Sequence, residues 1–404
     1  SSPVGLGLKS HELTFGEVLG RLLEIEYGGN REVEVINASV SGYTSEQIVR
    51  FLELKGWDYQ PDLILLYCGN NDASISGTHS DQQLLERQRF KAVRKLCGRL
   101  AIYRVLRSAI VKYIKRTDST PESLKLRVTP KRFGENLMRI AQACQEHDCQ
   151  LIILKPPVPY LWPAGLQFKV FTHITGEDGC FILPKDIADI LGQEIKYCLS
   201  NEIFVRLYGH GDKFTRSVYR SAYTDSLDPP RSIWHYMTLL ENDQENFVLL
   251  NNLGVSFWEN AQYTEANEYL RKARDVFVRR VKDNTNPSSI AAGAPLLYNI
   301  GINLLFAHDD SLSLLHDTNS TAFAYLDSAL QADFFSLRIK KSYWQEIDKL
   351  QNLPNVIVID LPSIFKENGG ERLFIDHCHP TAEGHLLIAR ALFSVICSRF
   401  GSQL

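Results

Sequence analysis

A chain of 404 residues is long enough to bury a large core and to hold about two domains. Its net charge of −3, with 44% hydrophobic and 23% charged residues, leaves no electrostatic footprint for nucleic acid or an anionic membrane. No apolar run reaches the roughly 18 residues that span a bilayer, and the eight cysteines show neither a C-x-x-C pair nor the spacing of a zinc site or disulfide framework.

From the N-terminus, residues 1–7 read as a loop through Pro3, Gly5 and Gly7. Thr14 to Glu17 has the form of a capping box, and Phe15, Val18, Leu19, Leu22 and Leu23 follow as one apolar helical face. Residues 33–37 read as a short strand feeding a polar loop that contains Gly42, with Ser45 as N-cap of a helix from Glu46. Residues 62–68 form a continuous apolar run, expected to be a strand buried on both faces, and they end abruptly in Gly69-Asn70-Asn71-Asp72. Open parallel sheets hold ligands at the carboxyl ends of their strands, so a polar tetrapeptide there marks a candidate site. Helices are expected over about 81–117 and 131–147, the first with a solvated basic face between Arg87 and Arg116. Further strands are expected at 150–155, closed by Pro156 and Pro157, and at 355–360. Strands separated by helices predict an α/β fold with a parallel sheet.

Asp376 and His379 stand three residues apart on a loop before a helix expected from about Thr381. There a carboxylate can accept from the imidazole Nδ1–H while Nε2 faces outward, which makes a general base awaiting a nucleophile. The pair also reads as a cap and a surface histidine, and His377 and His385 read as surface or capping groups. Asp72 reads as a brace of its loop. Arg338 is a candidate for binding an anionic group of a substrate, with an ordinary ion pair as the alternative. Residues 156–162 either wall a pocket or form a rigid turn.

Between about 200 and 334 the strand signals stop. Leu253, Gly254, Phe257, Tyr263, Ala266, Leu270 and Ala273 fall at the spacings of a tetratricopeptide repeat, in which two helices cross where small residues meet. Ile300, Gly301 and Leu304 repeat the first helix, and Ala322, Leu326 and Ala329 the second, across a longer turn. Two repeats are too few to stand alone, so this insert is expected to pack on the α/β body, on a protein partner or on another copy. An ordinary helical insertion is the other reading.

Three of these motifs, in this order, resemble the blocks of the SGNH/GDSL hydrolase superfamily. Asp376, His379 and Pro380 match its Asp-x-x-His-Pro block, Gly69, Asn71 and Asp72 its Gly-x-Asn-Asp block, and Gly42 the loop glycine after a strand. Of the first block, Gly-Asp-Ser-x-x-x-Gly, only the tail is present, with Ser1 and Gly5 at the right separation. The resemblance covers about 1–160 and 335–404, and it implies a flavodoxin-like parallel sheet sandwiched by helices, divided as 1–199 and 335–404 around an all-α insert at 200–334. It further implies that the strand ahead of Ser1, central in the family's sheet, is missing here, so that the chain is expected to be a fragment or the larger product of a cleavage.

The implied chemistry is metal-free and cofactor-free cleavage of an oxygen ester of a small molecule, glycan or lipid. Ser1 is the nucleophile, His379 its base and Asp376 the group that orients His379. The backbone N–H groups of Ser1 and Gly42 and the side-chain amide of Asn71 are the implied oxyanion donors. Glycine suits position 42 because its backbone approaches a substrate closely. An O-acyltransferase acting on a carbohydrate or lipid acceptor shares the acyl-enzyme, and a non-catalytic repeat protein is the reading from another class. The chain opens on Ser1 rather than Met, so a signal or anchor ahead of it stays open and no compartment is assigned.

Overall fold

The computed structural model describes residues 5, 8–29, 33–75, 79–89, 125–161, 174–175, 180–182, 196–198, 229–281, 287–307, 317–333, 338–375 and 377–400. Ser1, Asp376 and most of the basic stretch at 87–116 lie outside the described residues. In chain order the elements are α1 (Phe15–Tyr27), α2 (Ser45–Leu54), β1 (Leu63–Leu66), α3 (Asp81–Arg89), α4 (Pro130–Glu146), β2 (Gln150–Lys155), β3 (Ile174–Thr175), β4 (Cys180–Ile182), β5 (Lys196–Cys198), α5 (Pro229–Leu240), α6 (Phe247–Glu259), α7 (Tyr263–Val281), α8 (Pro287–Phe306), α9 (Thr321–Ala332), α10 (Lys341–Asp348), β6 (Val356–Asp360), α11 (Leu361–Glu367) and α12 (Ala382–Phe400). The chain is mixed α/β and mostly helical. It divides into two compact units, one drawn from 1–73, 128–162 and 337–404, the other from 74–127 and 163–336. The second unit therefore takes in residues 74–127 as well as 163–336, a wider span than the insert at 200–334 expected from the sequence.

The first unit is built on a three-stranded parallel sheet in the order β1-β2-β6, with Leu65 opposite Ile152 and Ile153 opposite Val358. Central β2 carries the two-sided burial: Leu151 to Leu154 are at most 1% exposed. Alternate residues of a strand face opposite ways. Ile152 and Leu154 join Phe15, Leu19 and Leu23 of α1 and Ile388, Leu392 and Ile396 of α12 in one core. The two-face burial expected of residues 62–68 is not met, because β1 lies at the edge of this ladder: Leu63, Ile64 and Leu65 are only half-buried. Residues 33–37 form no strand ladder among the described residues. Val33 nevertheless packs on the core that Leu63 and Leu65 border, so side chains rather than backbone pairing dock the segment.

The helix starts follow from side-chain caps, although not always local ones. For α4, the Thr129 side chain accepts from Arg132 N–H at 3.3 Å and Pro130 fills the first turn. For α2, the cap is Thr44 with Gln47 in a capping box, one residue ahead of the expected Ser45. The box expected at Thr14 does not form. Instead the Phe15 N–H is capped from across the chain by Nδ1 of His385, at 3.1 Å.

In the second unit β3, β4 and β5 make a small antiparallel sheet, which the sequence reading had not anticipated. Its helices form two hairpins, α6 with α7 and α8 with α9, that meet in the same way. A Cβ on Gly254 would stand 2.7 Å from Cγ of Leu270, and one on Gly301 would stand 2.7 Å from Cγ of Leu326, each with a backbone nitrogen at 3.1 Å. Ala266 and Ala273 in one hairpin, and Ala322 and Ala329 in the other, are buried beside those contacts. Each glycine thus lets two helices approach at a point where no side chain fits.

Gly254→Ala and Gly301→Ala should each lose about 1–3 kcal/mol, the usual cost of overpacking a close contact. Gly16→Ala, in α1 with nothing within 4 Å of the new Cβ, should be neutral or gain about 0.5–1 kcal/mol. Urea denaturation of the three variants checks the contrast.

Candidate active site

Two loops of the first unit bring Gly42 and Asn71 together. The first is a turn in which Tyr43 N–H donates to Val40 O at 3.3 Å. Its third residue, Gly42, has φ +79°, a conformation that other residues adopt only with strain. A Cβ there would meet nothing within 4 Å, so this face of the turn opens on free space. The second loop leaves β1 through Gly69 at φ +120°, where a Cβ would collide with Ile339 at 2.4 Å. Ala73 N–H donates to Gly69 O at 3.1 Å, and Asn70 Oδ1 accepts from Ile339 N–H at 3.0 Å. Between them Asn71 is half-buried, and its Nδ2 donates to Tyr43 O at 2.9 Å. That bond carries the Asn71 side chain to the residue next to Gly42.

Behind these loops lies a polar core. Asp72 is fully buried, and its Oδ1 accepts from Ser45 N–H at 2.9 Å and from Ser45 Oγ at 2.6 Å. Asn136 Nδ2 donates to the same hydroxyl at 2.9 Å. Ser45 and Asn136 were missed as site residues at the sequence level. Asn136 had a legible signal, a polar residue between Phe133, Leu137 and Ile140 on the apolar face of an amphipathic helix.

His379 stands on a separate loop of the same unit and is 4% exposed. A bridge between Phe374 and Pro380 closes the loop, with Ile375 N–H donating to His379 O at 2.8 Å. Cys378 Sγ lies 3.6 Å from its Nδ1 and 3.8 Å from its Nε2. One turn further on, His385 of α12 is fully buried and stacks on Phe15, 5.8 Å between ring centroids. Phe15 in turn lies 6.1 Å from Tyr67, just after β1. The start of α1, the first turns of α12 and the residue after β1 therefore meet at the Phe15 ring. Because Nδ1 of His385 accepts the Phe15 N–H, the ring is neutral, with its proton on Nε2. Burial, then the neighbouring His379, pushes its pKa down to about 4.

Arg338 is 1% exposed, and its guanidinium donates to Pro159 O at 3.0 Å. The same segment is held from the other side by Glu371, which accepts from Tyr160 N–H at 2.7 Å and Leu161 N–H at 3.1 Å, and by Trp344 Nε1–H on Pro156 O at 3.0 Å. Arg338 is thus turned onto the protein's own backbone, and the stretch from Pro156 to Leu161 is a braced turn. Burial pushes Glu371 up to about 7, against the two N–H donors and Arg338. Among the described residues no cluster of three or more His, Cys, Asp or Glu is placed to hold a metal ion, and no helix is long and apolar enough to cross a membrane. Comparison of the chain with protein-family models, curated proteins and solved structures finds no match.

Two buried groups give opposite pH dependences. Glu371 titrates higher in the folded chain than in the unfolded one, so its contribution is complete below about pH 4.5 and is lost as pH rises through about 7. His385 titrates lower when folded, so its contribution is present above about pH 6.5 and is lost as pH falls through about 4. Relative to the unaltered chain, Glu371→Gln should gain stability as pH rises from 4.5 to 7, and His385→Phe should gain it as pH falls from 6.5 to 4. Urea denaturation across that range measures both differences.

Proposed function

We propose that this chain is a serine hydrolase of the SGNH/GDSL kind, cleaving an oxygen ester through an acyl-enzyme, and that its parallel sheet is the flavodoxin-like sheet of that class. The observation that carries the reading is the pairing of Gly42 with Asn71. A positive-φ glycine with open space where a Cβ would stand and a side-chain amide fixed on the adjacent carbonyl put two neutral donor groups on neighbouring loops. Such donors stabilise a developing oxyanion without a competing charge. The parallel order of β1, β2 and β6 supports it as well, since the Asn71 loop follows the carboxyl end of a parallel strand.

In this reading Ser1 Oγ attacks the ester carbonyl while His379 takes its proton, and the carbonyl oxygen becomes an oxyanion held by Gly42 N–H and Asn71 Nδ2. Collapse breaks the bond to the alcohol, which leaves with the proton from His379. Water, deprotonated by His379, then releases the acid and restores Ser1. Asp376 orients His379 through both steps. The repeat-like hairpins of the second unit would offer a surface for a protein partner or a second copy.

A fluorophosphonate probe should label Ser1 on this chain, as read by peptide mapping, and the label should vanish in His379→Ala. In Asn71→Ala the labelling rate should drop by about 10²–10³, the usual effect of removing one oxyanion donor. Labelling at another residue, or labelling indifferent to both substitutions, overturns the proposal.

A further inference from the structure

Oxyanion donors work only while their spacing holds, since a misplacement of about 1 Å can cost roughly a hundredfold in rate. The Gly42 turn precedes α2 and the Asn71 loop follows β1, so no covalent continuity fixes their separation. The hydrogen bond from Asn71 Nδ2 to Tyr43 O joins them at the donors themselves, and that bond by itself still lets the loops pivot. The next residue on each side supplies a second tie, because Asp72 Oδ1 takes both the N–H and the hydroxyl of Ser45. Consecutive residues of one loop thus hold alternate residues of the other, which removes the pivot.

Resting on the acyl-transfer reading above, we infer that Asp72 is a positioning residue: its carboxylate sets the distance between the Gly42 and Asn71 donors. Its backbone is anchored to the body of the unit, where Asp72 O accepts from Val128 N–H at 3.2 Å and the Tyr343 hydroxyl holds Val128 O at 2.6 Å. Its side chain carries that anchor outward to Ser45. The Ser45 hydroxyl that donates to Asp72 also accepts from Asn136 at 2.9 Å, so its rotamer is held at both ends. The contact at 2.6 Å has the length of a charge-assisted bond, stronger than a neutral one. A fully enclosed carboxylate is a costly way to fill a loop; what it adds over an apolar side chain is a directional tie.

The test is a double-mutant cycle on the whole chain with p-nitrophenyl butyrate, with active sites counted by fluorophosphonate titration. Asp72→Ala should lower kcat per titrated site roughly 10–100-fold, with KM within about twofold. Asp72→Asn, which keeps the Oδ1 acceptor, should recover most of that loss. In an Asn71→Ala background, Asp72→Ala should cost less than about threefold, because the donor it positions is gone. If Asp72→Ala yields no folded protein, Ser45→Ala removes the hydroxyl tie alone and should lower kcat several-fold with the same non-additivity toward Asn71→Ala. Losses that multiply, or a loss confined to the number of titratable sites, overturn the positioning role while leaving the hydrolase reading intact. An unaltered chain that neither turns over the ester nor takes the label overturns both.

Discussion

An enclosed carboxylate has to be met by donors, and in this chain that requirement fixes where two loops sit. Asp72 has no exposure, and Ser45 answers it with a backbone N–H and a hydroxyl. The bond pulls the first turn of α2 against the loop that leaves β1, and the Gly42 turn and the Asn71 amide come with them. Asn136 from α4 closes the arrangement from below. One buried polar group therefore connects two helices and the end of a strand, and the candidate donors stand on the outside of that connection.

A second buried contact fixes the start of α1 against α12. His385 replaces the cap that Thr14 does not supply, accepting the Phe15 N–H and stacking on the Phe15 ring. An imidazole that accepts at a helix N-terminus is held neutral, because protonation would remove the acceptor and set a cation against the positive end of the helix. Arg338 and Glu371 brace the turn after β2. The Gly42 turn, the Asn71 loop and the turn after β2 are each held by a buried side chain distant in sequence.

Much of the α/β unit was legible in the sequence because its signals are local. The apolar runs at β1, β2 and β6 and the 3.6-residue periodicity of α4 and α12 each declare themselves within a dozen residues. The crossing glycines of the helical hairpins were legible for the same reason, since Gly254 and Gly301 head matching patterns. What the sequence hid was long-range. The half-exposure of β1 follows from its edge position in the ladder, which no property of Leu63 to Leu66 announces. The trans cap by His385 joins residues 370 apart, where a local Thr14 box was the shorter guess. Arg338 read as a candidate for a substrate anion or an ordinary ion pair because its backbone partner, Pro159, is remote in the chain. Of the candidate site, the residue types and order of Gly42, Asn71 and His379 were readable; Ser45 was legible only as a helix start and Asn136 only as a polar residue on an apolar helix face, because their shared partner Asp72 is remote in the chain.

The central claim is that Gly42 and Asn71 face one oxyanion. A crystal structure of the chain after reaction with a fluorophosphonate tests it most directly, because the phosphonyl oxygen stands where that oxyanion would form. Phosphorus is expected on Ser1 Oγ, with its free oxygen within hydrogen-bond distance of Gly42 N and Asn71 Nδ2. An adduct whose oxygen points away from both, with Asn71 still turned wholly onto Tyr43, would contradict it.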